Sequence, residues 1–395
     1  MTTTPTLAWA CLRQIRLAMW VAPVCCALLL SACVTTSQRN PYSLDELVAA
    51  SINDSHDLRF FPQRRPDLMN ALGWKDATGG SLPKAPDGHF DILALSSGGP
   101  DGAYGAGAIK GLSQSGQFPE YEIVTGVSTG ALMAPFVFAA DRYSELPSVL
   151  YTTNAMQEAL GKPNYAAALG GPALYSDNGI KAFIERFVTP ELLAAIAVQH
   201  DKGRRLLVAT ANLDANTLTI WNMGAVAKRR DAMALELFRT VIRAAIAIPG
   251  ALPPVPITSG LGGRTITELH GDAGVVAYFF GGPELVPGQW LKTGNASLDV
   301  ILHNQIEPEA RPVEARTLKL AGSSISNLTR TSMRLLLDET IRRSQEAGMV
   351  MRYTYLPAEW RTVSSLEFDS EYMVKTYSLG LERARNGTLW QSGPR

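Results

Sequence analysis

The middle of the chain twice shows one pattern: a short apolar run, a glycine-rich turn, then a small-residue apolar segment long enough for a helix. The first copy opens with Phe90-Asp91-Ile92-Leu93-Ala94-Leu95, which has the character of a strand buried on both faces. Ser96-Ser97-Gly98-Gly99-Pro100-Asp101-Gly102 follows, and an Ala/Gly-rich stretch runs on to Leu112. The second copy is Ile123-Val124-Thr125, then Gly126-Val127-Ser128-Thr129-Gly130, then apolar residues 131–140. Further strands are predicted over 205–211 and 217–222, joined as a hairpin, and over 265–269 and 351–356. Helical spacing marks 232–248, with Leu235, Phe238, Ile242 and Ile246 on one face and Pro249-Gly250 as the stop. It also marks 326–347, with Leu328, Leu335, Leu336 and Ile341, and 369–386, which ends at Asn386-Gly387. Residues 298–304 read as mid-helix, and Leu320-Ala321-Gly322-Ser323 as another strand–helix junction. Ser43-Leu44-Asp45-Glu46 has capping-box spacing and starts a modest helix. Residues 75–89 read as loop.

At 395 residues the chain can bury a large core. Its 36 Lys and Arg balance 36 Asp and Glu, so nothing points to a nucleic-acid partner. The N-terminus departs from this balance, for residues 1–44 contain no acid. Arg13 and Arg16 precede an apolar run over 17–30, shorter than the ~20 residues a bilayer span needs. It has the form of the h-region of a secretory signal peptide. The run ends in Leu30-Ser31-Ala32-Cys33, which resembles the lipobox of bacterial lipoproteins. That resemblance implies cleavage before Cys33 and acyl chains on it, so that the membrane is a partner. With Val34 rather than Asp next, it implies a place in the bacterial cell envelope, at the outer membrane. Cys11, Cys25, Cys26 and Cys33 are the four cysteines of the chain, and only Cys33 would survive cleavage. No structural disulfide or cysteine-based metal site then remains. The expected organisation is a signal peptide over 1–32, a tether over 33–42, a helical and loop extension over 43–89, a catalytic core over 90–290, and helices and strands completing the domain over 291–395.

The two turns carry the chemistry. Glycine loops at helix N-termini expose backbone N–H groups and favour anions. A nucleotide phosphate site is one reading, but the first glycine of a dinucleotide fingerprint is hard to place and no Lys-Ser/Thr follows as in a P-loop. An oxyanion hole is the other. Gly-x-Ser-x-Gly at a strand–helix turn holds its serine strained and exposed. Two such loops at one carboxyl edge of a parallel sheet suit acyl transfer better than nucleotide binding.

Leu95 to Tyr104, Gly126-Val127-Ser128-Thr129-Gly130 and Asp272-Ala273-Gly274, in this order, resemble the patatin-like phospholipases. The resemblance covers roughly residues 90–276. It implies a three-layer α/β/α sandwich with a mostly parallel central sheet. It also implies hydrolysis of acyl esters of phospholipids or lysophospholipids by a Ser–Asp dyad, without cofactor or metal. Carried over, Ser128 is the nucleophile, Asp272 its base, and the Gly98 and Gly99 N–H groups the oxyanion hole. Gly102, Gly126, Gly130, Ala273 and Gly274 complete the motifs. Three positions depart from the family: Ser97 stands for its first glycine, Asp101 for a frequent Arg or Lys, and Ala273 for a middle glycine.

Apart from any family, a serine hydroxyl needs a base, and burial would raise a carboxylate such as Asp272 toward useful basicity. Ser128, Asp272 and His303 also follow the chain order of an α/β-hydrolase triad, so an esterase using His303 is the alternative enzyme. His270, two residues before Asp272, either lines the site or packs; His56, His89 and His200 read as surface. A catalytically weak lipid- or protein-binding lipoprotein is the alternative of another class, with Asp101 in favour.

Overall fold

The computed structural model describes residues 39–64, 67–74, 85–139, 143, 145–308, 310 and 312–393. The expected leader, Cys33 and most of the tether lie outside them, as does much of 75–89.

The strands are β1 (Arg59–Phe60), β2 (Phe90–Leu95), β3 (Ile123–Gly126), β4 (Arg205–Asn212), β5 (Thr217–Asn222), β6 (Val255–Leu261), β7 (Arg264–Asp272), β8 (Ala296–Gln305), β9 (Val350–Leu356) and β10 (Gln391–Ser392). They form one sheet in the order β1-β5-β4-β3-β2-β8-β9-β10, with β7 paired to β4 and β6 to β7. The central run β4-β3-β2-β8-β9 is parallel. Its flanks are antiparallel, with β5, β1, β7 and β6 on one side and β10 on the other. The sheet is therefore parallel at its centre and mixed as a whole. Helical crossovers join the parallel strands, whereas short turns join β4 to β5 and β6 to β7, and a short turn permits only antiparallel pairing.

The longer helices are α1 (Gly102–Gln114), α2 (Thr129–Ala139), α3 (Asn178–Phe187), α4 (Pro190–Asp201), α5 (Ala232–Ala245), α6 (Thr317–Glu346) and α7 (Ser370–Arg385). Alternate residues of a strand point to opposite faces, and the two cores follow that rule. Leu93, Leu95 and Val124 pack against Ala103, Met133, Ile196 and Phe238 on the α1, α2, α4 and α5 side. Ile92, Ala94 and Ile123 pack on the other side, with Met333, Leu337 and Ile341 of α6. The three-layer α/β/α sandwich is thus present.

The capping box at the first described helix is formed: the Ser43 side chain accepts from the Glu46 N–H, and the Glu46 carboxylate from that of Ser43. Two expectations need correction. Residues 298–304 are not helical but lie inside β8, where every position from Ala296 to His303 is buried. A strand covered on both faces loses its alternation and cannot be told from a buried helix by pattern. Leu320 to Ser323 form no strand; they belong to α6, whose first turns stand exposed. Helix α7 lies across α1 at close range: a Cβ on Gly107 would fall 1.9 Å from the Tyr377 carbonyl oxygen, and one on Gly380 2.1 Å from that of Tyr104.

Candidate active site

Strands β2 and β3 are parallel neighbours with Leu95 opposite Gly126, so their two turns leave the sheet at one edge. Ser128 is the first residue beyond Val127 in the second turn and has φ +54°. That left-handed conformation is strained for a residue with a Cβ. The flanking glycines are set by packing, since a Cβ on Gly126 would lie 2.6 Å from the Gly130 carbonyl oxygen, and one on Gly130 2.3 Å from that of Leu95. Asp272 arrives from the other flank. It ends β7, which runs against β4 with Asp272 opposite Thr210.

The Ser128 hydroxyl donates to Asp272 Oδ2 at 2.5 Å, and the Gly274 N–H donates to Oδ1 at 2.7 Å. Ser128 is 6% exposed and Asp272 3%. Burial pushes the Asp272 carboxyl up to about 6, against the hydrogen bonds from Ser128 and Gly274, which pull it down. A carboxyl of this strength, already bonded to a serine hydroxyl, is suited to accept a proton near neutral pH. Ala273 is fully buried behind it.

Gly98 and Gly99 line the same cavity as Ser128 and Asp272. Among the described residues, neither glycine donates its N–H to a protein acceptor. Gly99 has φ +57°, and a Cβ there would lie 2.6 Å from the Ser365 carbonyl oxygen. Gly98 sits on His303, and Gly102 on Thr129 and Tyr151. Ser97, in place of the family glycine, is not among the positive-φ residues and donates its N–H to the Tyr278 carbonyl. Asp101 is 3% exposed and accepts from the Tyr372 hydroxyl of α7.

The cavity holds about 440 Å³, and Val275, Val276, Ile325 and Leu328 form its apolar wall. A recess of about 40 Å³ shares Gly99, Ser128, Ile248 and Ser365 with it and is, apart from Thr129, otherwise apolar, walled by side chains such as Leu132, Met156, Leu160 and Phe368.

His303 lies in β8, two residues past Ile301, the partner of Leu95. Its backbone N–H donates to Ser96 Oγ, and its Nδ1 bonds the Ser96 carbonyl at 2.6 Å. Burial lowers this imidazole to about 4, against the Ser96 bond. The side chain backs the glycine turn, whereas the Ser128 hydroxyl bonds Asp272 directly. His270 is fully buried in a network: its Nε2 meets Glu268 at 3.1 Å and its Nδ1 meets Thr210 at 2.9 Å. The same Glu268 receives Arg59 at 2.7 Å, Asn212 at 2.9 Å and Ser259 at 2.9 Å. His200 is half-buried against Gly224, not on the surface, and burial lowers it to about 3. His56 is exposed, and His89 is half-buried against Asp91 at 2.7 Å. Among the described residues, no group of three His, Cys, Asp or Glu side chains is placed to hold a metal ion.

Residues 93–279 match the family model described as patatin-like phospholipase. They form a patatin-like phospholipase domain. The protein is accordingly a lipid acyl hydrolase, and Ser128 and Asp272 fall inside the matched stretch. Among solved structures, VipD from Legionella pneumophila aligns at 12% identity, over 93% of this chain and 74% of VipD, with a TM-score of 0.34. No curated protein matches the chain significantly.

The sequence reading missed the cavity residues beyond the matched stretch. Leu328 is legible only as a position of a helix face, and Ile325 stands in a Ser/Thr-rich segment, a pattern that announces exposure more than a site. Ser365 and Tyr372 carry no local signal at all.

Proposed function

We propose that the patatin-like domain hydrolyses the acyl esters of phospholipids or lysophospholipids through a Ser128–Asp272 dyad and an acyl-enzyme. The reading is carried by the 2.5 Å bond from Ser128 Oγ to a buried carboxyl in a cavity that also exposes Gly98 and Gly99. Ser128 Oγ attacks the ester carbonyl carbon while its proton passes to Asp272. The Gly98 and Gly99 N–H groups donate to the oxygen that becomes negative, which is where preorganised donors lower a barrier most. The tetrahedral species collapses with loss of the C–O bond, and Asp272 returns the proton to the departing alkoxide. A water then attacks the acyl-serine and its proton goes to Asp272. Collapse releases the fatty acid and restores the Ser128 hydroxyl. His303 takes no part: its Nε2, the nitrogen a triad would use as base, lies against Gly105 of α1, and the Ser128 hydroxyl bonds Asp272 instead. The apolar recess beside Ser128 suits the first carbons of the acyl chain, and the larger cavity the rest of the lipid.

The lipobox reading adds an anchor: acylated Cys33 would hold the domain at the outer membrane, and tethering raises the local concentration of a lipid substrate. No described helix is long and apolar enough to cross a membrane. A fluorophosphonate probe tests the dyad. The wild-type chain should be labelled and Ser128→Ala should not; an unlabelled wild-type chain that leaves phospholipid intact would refute the reading.

A further inference from the structure

Asp101 closes the glycine turn and stands immediately before α1, at a place where the family often carries a cation. Its carboxyl is buried, and among the described residues no Lys or Arg pairs with it. Its partner is the Tyr372 hydroxyl, from the first turn of α7. The same C-terminal segment touches the turn again, where the Ser365 carbonyl presses on Gly99. That segment is itself fastened to α7, since the Trp360 indole N–H donates to Thr376 at 3.2 Å. Helix α7 in turn meets α1 at glycine distance, so its position is fixed independently of the turn. Two residues of the turn, Gly99 and Asp101, are therefore held from a part of the chain that begins 81 positions after the matched stretch ends at 279 and Trp360 starts.

We infer that Asp101 and Tyr372 are positioning residues, a clamp that fastens the oxyanion turn to α7 and fixes the aim of the Gly98 and Gly99 N–H groups. The inference rests on reading those groups as the oxyanion donors. An ionised Asp101 would set a negative charge two and three residues from the Gly99 and Gly98 donors that must receive a negative oxygen. A neutral carboxyl keeps the Tyr372 bond without that opposing field. Burial raises Asp101 to about 7, against the Tyr372 bond, so the neutral form dominates below neutrality. The groups around it leave this balance undisturbed. Burial and the neighbouring Asp101 raise Tyr372, which stays a donor. Burial likewise raises Tyr151, whose hydroxyl lies at Gly102 and bonds Thr129. On α7, Glu371 and Lys375 pair with each other, and Asp369 caps the helix at the Tyr372 N–H. Activity should therefore fall as pH rises through the titration of Asp101.

The test uses the full chain and a soluble short-chain ester such as p-nitrophenyl butyrate. Tyr372→Phe should lower kcat about tenfold with KM within about twofold, since one hydrogen bond is lost and the donors act on the transition state. Asp101→Asn keeps an acceptor for Tyr372 but cannot ionise. It should keep kcat within about threefold at pH 6.5 and abolish the fall above pH 7. A merely structural contact would lower melting temperatures and leave kcat and the alkaline limb as in wild type, and that result overturns the clamp. If Tyr372→Phe does not fold, the alkaline limb of Asp101→Asn decides alone. Ser128→Ala is run in parallel. An active Ser128→Ala would overturn the dyad itself, whereas an inactive one beside wild-type behaviour of the other two overturns only the clamp.

Discussion

Replacing Asp272 by Asn should abolish turnover and, at the same time, stabilise the fold in a pH-dependent way. Asn preserves the shape. Its Oδ1 can accept the Gly274 N–H and its Nδ2 can donate to Ser128 Oγ, so both contacts of the wild-type carboxyl have a counterpart. What it removes is a charge that burial resists. The carboxyl stands at about 6 in the folded chain against an ordinary 3.8. A folded pKa raised above the unfolded one means stability present at low pH and lost as pH rises from about 4 through about 6. The full loss is about 3 kcal/mol, of which about 2 falls between pH 4.5 and pH 8. Asp272→Asn escapes that loss, so its advantage over wild type should grow by about this amount across the interval, read from urea midpoints at the two pH values. The same pKa governs the rate. Between pH 6.5 and pH 4.5 the ionised fraction of such a base falls roughly twentyfold, whereas an ordinary aspartate would lose less than about a quarter. Turnover of a soluble ester by the wild-type chain should follow that fall. A rate flat over this interval, or a variant no more favoured at pH 8 than at pH 4.5, would refute the buried-base argument. Ser128 and Asp272 act as one unit, so the double variant should be no slower than either single one.

Gly99→Ala must place a Cβ 2.6 Å from the Ser365 carbonyl at a φ of +57°. It should lower kcat for the soluble ester by about a hundredfold, the scale of losing one oxyanion donor, and a wild-type rate would remove Gly99 from the site. Glu268→Ala strands Arg59 in a place where both side chains are nearly inaccessible, at 4% and 0% exposed. The loss should be about 3–5 kcal/mol by urea unfolding; less than about 1 kcal/mol would mean that the network has another anion. Cys33→Ser should leave a longer precursor in the native cell, and mass spectrometry finding wild-type chains with a free Cys33, or with residues upstream of it, would end the lipoprotein reading.

What could be read from the sequence depended on whether local pattern and chemistry agreed. β2 and β3 were legible because an apolar run, a glycine turn and a small-residue helix occur together, and the structure repeats the expected bounds of β2. Ser128 and Asp272 are 144 positions apart, yet motif order paired them. β8 failed because burial on both faces erases alternation. The first turns of α6 failed because their scattered apolar residues serve a cavity and not a core. The Arg59–Glu268 pair spans 209 positions and the Asp101–Tyr372 contact 271, with nothing in either neighbourhood to point at the other. A buried charge is visible only once its partner is placed. Asp101 was noticed as a departure from a family cation, but the sequence could not say that a tyrosine, and not a cation or the turn's own N–H groups, would meet it.

The boundary of the matched stretch also differs from the boundary of the folding unit. Residues 93–279 contain Ser128, Asp272 and both glycine turns, and β3 on one side of β2, but not β8 on its other side. β8 pairs with β2 along all six of its residues, and β9 follows it on the far side. Without them β2 would be an edge strand whose every residue is apolar or buried, the arrangement that sheets avoid because it invites pairing with other chains. The same strand delivers His303 to the back of Gly98, and α7 delivers Tyr372 to Asp101. The geometry of the Gly98–Gly99 turn is therefore a property of the C-terminal third as much as of the motif that contains it. In the clamp proposed above, a segment that contributes no reacting group sets the rate by determining where two backbone N–H groups point.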